Sequence, residues 1–132
     1  MSKYKSKKVE YDNITFDSQL ECNYYRYLKE MKVEFEFQPK FLLQEGFKKN
    51  GKTHRKIEYI GDFRIGNTVI DVKGMETPVF KLKRKLFEYK YPHLELVLLI
   101  KCPKYLEHYS RAGLINKDVY KTVKRKKVKN VK

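Results

Sequence analysis

The chain is short of thiols, of acidic residues and of long apolar runs, and each shortage removes a class of function. Only two cysteines occur, Cys22 and Cys102, and neither has a second Cys or His at zinc-finger spacing. Isolated thiols of this kind fit a reduced, cytoplasmic protein with both side chains in or near the core. His54, His93 and His108 are scattered and form no metal or nucleophile motif. The longest uninterrupted apolar run, Leu96 to Ile100, is far below the roughly 18 residues that a membrane span requires. No apolar signal core follows the charged N-terminus, so export by the usual route is not expected.

The acidic shortage says the most about partners. Lys and Arg number 31 against 16 Asp and Glu in 132 residues, a net charge of +15. The excess is concentrated at the ends. Residues 1–9 hold four basic and no acidic groups, and residues 117–132 hold eight basic and one acidic group. Basic arms of this kind on a moderately basic central domain, residues 10–116, are the electrostatic footprint of a polyanion binder. Nucleic acid leads, although a solubilising tail has the same composition.

Along the chain, FDSQLECNYYRYLKEM from Phe16 to Met31 spaces apolar residues at 20, 24, 27, 28 and 31, which predicts an amphipathic helix capped by Asp17 or Ser18. Val33 to Leu43 reads as a strand that bends, or lies at a sheet edge, at Pro39. Lys49 to Lys52 reads as a loop or hairpin turn. Thr77-Pro78 caps a second helix, expected to reach Tyr89 with Val79, Leu82, Leu86 and Tyr89 inward, widened by Phe80 and Phe87. Lys81, Arg84, Lys85 and Glu88 then project from the other side. The three cations there would suit phosphate contacts or an ordinary solvated face. Glu95 to Cys102 predicts a buried strand, with a short helix beyond Pro103 and a break at Ala112-Gly113. Tyr24, Tyr27 and Tyr89 sit at helical core spacing, so packing accounts for them better than base stacking or nucleophilic chemistry.

The chemistry concentrates between the two helices. Gly66-Asn67 separates KIEYIGDFRI from TVIDVK, two β-prone runs, and so signals a two-residue hairpin. Its register sets Ile65 against Thr68, Arg64 against Val69, Phe63 against Ile70, and therefore Asp62 against Asp71. Cβ atoms so paired lie roughly 5 Å apart, and opposed carboxylates repel unless a cation sits between them. Hard oxygen ligands suit Mg2+ or Mn2+. Lys73 falls on the same face as Asp71. A slip of one residue, or a bulge at Gly61, would break the opposition.

A Glu-bearing helix, a strand ending at Asp62, a strand carrying Asp71-Val72-Lys73, a helix and a strand together resemble the core of the PD-(D/E)xK nuclease superfamily. The resemblance runs from about Phe16 to Cys102. The text IGDF, IDVKG and METPVFKLKRKLFEYKYP is similar to an uncharacterised phage family placed in that superfamily. It implies a restriction-endonuclease-like α/β fold, α-β-β-β-α-β, with a mixed central sheet flanked by helices. It also implies a metal shell of Asp62, Asp71, the Val72 carbonyl and Glu21. Lys73 would handle the attacking water. Gly61 stands where Pro is usual, as in divergent members; Asp71 stands where Glu is more frequent, and its shorter carboxylate leaves the choice of ion open. Glu21 has a competing role, because Ser18-x-x-Glu21 is a capping box. Gln38 is a weaker candidate in a strand bordering the site.

The expectation is a phage-encoded, divalent-metal-dependent DNA endonuclease, structure-selective on branched DNA such as four-way junctions. A symmetric junction would suit a homodimer. Nicking, end-processing or transposase-like cleavage, action on RNA, and a non-catalytic basic binding module remain alternatives.

Overall fold

The computed structural model describes residues 7–130, with side chains to residue 124. Residues 1–6 of the basic N-terminal arm, and 131–132 at the other end, lie outside the described residues. The protein is mixed α/β with a mixed sheet, and it divides into two compact units: residues up to Glu34 with Leu98 onward, and Phe35–Val97.

In the first unit, β1 (Val9–Tyr11) and β2 (Ile14–Phe16) form an antiparallel hairpin. Its turn residues Asp12 and Asn13 both take positive φ, the demand of a type I′ turn. Helix α1 (Gln19–Glu30) packs on that hairpin. Its inward stripe is Cys22, Tyr25 and Leu28: Leu28 is inward as expected, while Tyr25, one residue or about 100° round from Tyr24, takes the place expected of Tyr24 and Tyr27. Tyr25 wins the interior because its ring meets Phe16 at 5.2 Å and its hydroxyl donates to Asp12 Oδ2 at 2.8 Å. Tyr24 and Tyr27 are half-buried neighbours, and Met31 is exposed. The segment after Ala112-Gly113 is not merely a tail. It forms β11 (Leu114–Asn116), antiparallel to the end of β10 (Glu95–Lys101), and then helix α3 (Lys117–Asn130). Cys102, Leu106 and Ile115 make a small core there, with Leu106 on a 3-10 turn over Lys104–Tyr109.

The second unit holds the expected hairpin. Strand β3 (Glu36–Phe37) is separated from β4 (Lys40–Gln44) by Gln38, at φ +52°, and buried Pro39, so the bend foreseen at Pro39 splits the strand. A second hairpin, β5 (Phe47–Lys49) and β6 (Lys52–His54), turns at Asn50-Gly51. The run KIEYIGDFRI is likewise two strands, β7 (Ile57–Ile60) and β8 (Phe63–Ile65), broken at Gly61-Asp62. Strand β7 pairs with β4, whereas β8 pairs with β3 and with β9 (Thr68–Val72). Strand β9 lies between β8 and β10.

Helix α2 (Pro78–Lys90) starts as expected, with the Thr77 hydroxyl accepting from the Phe80 N–H. Its buried face is different from the one expected. Phe80 and Phe87 point inward, while Val79, Leu82 and Tyr89 are exposed, Tyr89 at 89%. Phe87 decides the rotation: it is fully buried against the rings of Phe41, Tyr59 and Tyr91. Arg84 follows it to the inner side, stem half-buried, with its guanidinium donating to the Leu96 carbonyl at 3.4 Å. Long basic side chains can lie along apolar surface in this way while the head finds partners. No helix among the described residues is long and apolar enough to cross a membrane.

Candidate active site

Three of the four ladder pairs foreseen around Gly66-Asn67 are present: Ile65 with Thr68, Arg64 with Val69, and Phe63 with Ile70. Gly66 takes φ +58°, the positive value that the first position of a type II′ turn requires. The ladder stops there, so Asp62 is not the cross-strand partner of Asp71. The Asp62 N–H donates to the Ile70 carbonyl at 3.1 Å and its carbonyl accepts from the Gln38 N–H at 2.9 Å. Gly61 causes the break. A Cβ at this position would lie 2.8 Å from Val69 Cγ1 and 3.6 Å from Pro39, so only glycine lets the chain pass this close.

The break does not scatter the acids; it gives each a different holder. The Asp62 carboxylate accepts from the Val72 N–H at 2.7 Å, which ties it to the residue beside Asp71. Asp71 is 2% exposed, the one charged side chain in the core among the described residues. Its Oδ2 accepts from the Tyr59 hydroxyl at 2.5 Å and its Oδ1 lies 3.5 Å from Lys73 Nζ. Lys73 also sits 4.6 Å over the ring of Phe80, which anchors its ammonium at the margin of the core.

Tyr59 is the member that sequence reading missed. Burial pushes its phenol far above the ordinary range, and the neighbouring charges of Asp71 and Asp62 push it further, with Arg84 opposing. It is therefore a neutral hydrogen-bond donor at any working pH. A period-two signal existed: Ile57 and Tyr59 share one face of β7, and both are more buried than Ile60. Its partner could not be read, because β7 and β9 belong to different ladders.

Residues 1–107 match the family described as protein of unknown function (DUF1064). The chain belongs to the DUF1064 family. No curated protein and no solved structure matches it. Within this DUF1064 chain the family match ends at Glu107 on the 3-10 turn, so Asp62, Asp71, Lys73 and Tyr59 all fall inside it and α3 falls outside.

The remaining candidates are placed as follows. Glu21 belongs to the first unit, where the cap is Ser18 and not Asp17: the Ser18 hydroxyl accepts from the Glu21 N–H at 3.2 Å and lies 3.5 Å from Glu21 Oε1. That is half of a capping box, closed through the hydroxyl. Gln38 is exposed and reaches Asp62 through its backbone. Lys81 and Lys85 are exposed on α2, and Arg84 is turned from them toward Tyr59 and Leu96. No group of three or more His, Cys, Asp or Glu side chains placed to hold a metal ion occurs among the described residues.

Proposed function

We propose that the chain is a divalent-metal-dependent DNA endonuclease with a restriction-endonuclease-like core, acting on branched DNA. The observation that carries this reading is a buried aspartate, Asp71, held between a tyrosine hydroxyl and the Lys73 ammonium, with the Asp62 carboxylate fastened to the next residue's N–H. Burying a carboxylate costs several kcal/mol before compensation, and a hydrophobic replacement would serve packing better. Retaining it beside a second acid and an ammonium suits chemistry rather than stability.

The donor set fits a hard cation: two carboxylates and a backbone carbonyl, with no sulfur or imidazole among them. Asp62, Asp71 and the Val72 carbonyl would hold Mg2+ or Mn2+, which when bound would act as a Lewis acid toward the phosphate. The side chains do the rest. Tyr59 fixes the orientation of the Asp71 carboxylate, as an outer-shell donor does. Lys73 would position the attacking water and hydrogen-bond the developing charge on the phosphoryl oxygens. Glu21 belongs to the other compact unit, where its N–H is held by the Ser18 hydroxyl. Lys81 and Lys85 would meet phosphates beside the scissile one.

The test is cleavage of a four-way junction and of a linear duplex of matched sequence, with Mg2+, with Mn2+ and with chelator. Metal-dependent nicks in the junction, in excess of those in the duplex, support the whole reading. Cutting of both equally retains the nuclease and removes the branch preference. No cut on DNA or RNA, with tight binding retained, leaves a non-catalytic basic module.

Tyr59→Phe isolates the outer-shell role. The expected result is a loss of about 10- to 100-fold in cleavage, together with a matching rightward shift of the Mn2+ concentration that raises the melting temperature. A merely structural tyrosine would lower the melting temperature and leave that titration where it was.

A further inference from the structure

The β5–β6 hairpin has no part in the site above. It pairs only with itself among the described residues, in the register Phe47 with His54, Lys48 with Thr53, Lys49 with Lys52. Asn50 at φ +52° and Gly51 at +74° give it a type I′ turn, so the projection is held in one register rather than loose. Between Glu45 and Glu58 the chain carries Lys48, Lys49, Lys52, Arg55 and Lys56 and no acid at all. All five are exposed, and only Lys56 has a carboxylate beside it, Glu58 at 3.6 Å.

Charge is half of the pattern. Strand alternation places Phe47, Lys49, Lys52 and His54 on one face. There the rings of Phe47 and His54 stack at 4.6 Å and 15°, with Phe47 46% exposed. A cleft of about 650 Å³ opens beside them, lined by Phe47, Lys48, His54, Arg55, Lys56 and one acid, Glu58. An aromatic pair with Phe47 exposed and His54 half-buried, flanked by cations, matches a strand whose bases are unstacked: the exposed ring meets a base face and the ammonium groups meet the flanking phosphates. A fully paired duplex presents the phosphates but hides the base faces.

We propose that the β5–β6 hairpin is a DNA-contact arm that grips an unpaired strand, with Phe47 and His54 as the stacking platform and Lys48, Lys49, Lys52 and Arg55 on the backbone. This takes from the proposed function only that the polymer is DNA; it does not depend on cleavage.

The test is equilibrium binding in chelator, read by fluorescence anisotropy, of a labelled single strand and of the blunt duplex of equal length, across a salt series. Lys49→Gln with Lys52→Gln should weaken both ligands and flatten the log–log salt slope, by about 1.4 for the single strand and about 1.8 for the duplex. Phe47→Ala should cost about tenfold on the single strand and leave the duplex within about twofold. Phe47→Trp should restore single-strand binding, which separates lost stacking from a damaged hairpin. Equal losses on both ligands for Phe47→Ala, an unchanged salt slope for the lysine pair, or wild-type single-strand binding by both variants would overturn the proposal. Cleavage by the intact chain is scored separately. Hairpin-dependent binding without any cut defeats only the nuclease; cutting with hairpin-independent binding defeats only the arm.

Discussion

Asp71→Asn is expected to lower metal-dependent cleavage by about 10³-fold or more, while DNA affinity measured in chelator stays within about threefold. The amide keeps the shape and can still accept from Tyr59, whose hydroxyl stands 2.5 Å from Asp71 Oδ2. What it loses is the negative charge that would hold the cation against Lys73, 3.5 Å away. A cation that supplies several kcal/mol of transition-state stabilisation accounts for a loss of this size, since each 1.4 kcal/mol or so is tenfold in rate. The same variant should abolish the rise in melting temperature that Mn2+ gives the wild type. A variant that cuts within tenfold of wild type would show that the ion pair is structural. Glu21→Gln in parallel should leave stability unchanged, because glutamine serves a capping box as glutamate does and the Ser18 hydroxyl still accepts from the N–H of residue 21.

Phe87→Ala should destabilise the protein by about 3–5 kcal/mol in chemical denaturation. Phe87 is fully buried, and its ring meets Phe41 at 4.9 Å, Tyr91 at 5.4 Å and Tyr59 at 5.5 Å. Truncation removes the transfer free energy of the ring and leaves a cavity whose walls are themselves rigid aromatic rings, which collapse poorly. Native stability is commonly about 5–15 kcal/mol, so this one change would consume a large part of it. Tyr89→Ala, two residues on, should change stability by less than about 0.5 kcal/mol, because Tyr89 is 89% exposed. Comparable losses at both positions would mean that α2 packs on a different face from the one described.

Most of what the sequence disclosed came from local rules. Gly66 and Asn67 specified the turn, and the turn specified three ladder pairs without reference to the rest of the chain. Thr77-Pro78 marked the start of α2 for the same reason, since capping is settled within one helical turn. What failed depended on contacts from elsewhere. The sequence marks Gly61 as a place where a bulge would break the register, but not the cause, which is Val69 and Pro39 crowding the space where a side chain would stand. The α2 stripe counted Val79, Leu82 and Tyr89 as inward because apolar periodicity cannot rank an arginine stem above an exposed tyrosine. Phe87 among Phe41, Tyr59 and Tyr91 made that choice in three dimensions. The α1 stripe shifted likewise, because the partner of Tyr25 was Asp12 in the preceding hairpin. The face-to-face geometry expected for Asp62 and Asp71 gave way to separate anchors on Val72 and Tyr59.

The break at Gly61 also bears on how the site forms. Tyr59, Asp62, Asp71 and Lys73 belong to one continuous stretch of chain folded about Gly66-Asn67, and the bonds among them close only short loops. Loop-closure entropy grows with the length closed, so these contacts carry little of the chain-ordering cost that distant segments face. Contacts of short sequence separation also form quickly. These four side chains can therefore be brought together early in folding, before the contacts of more distant segments form.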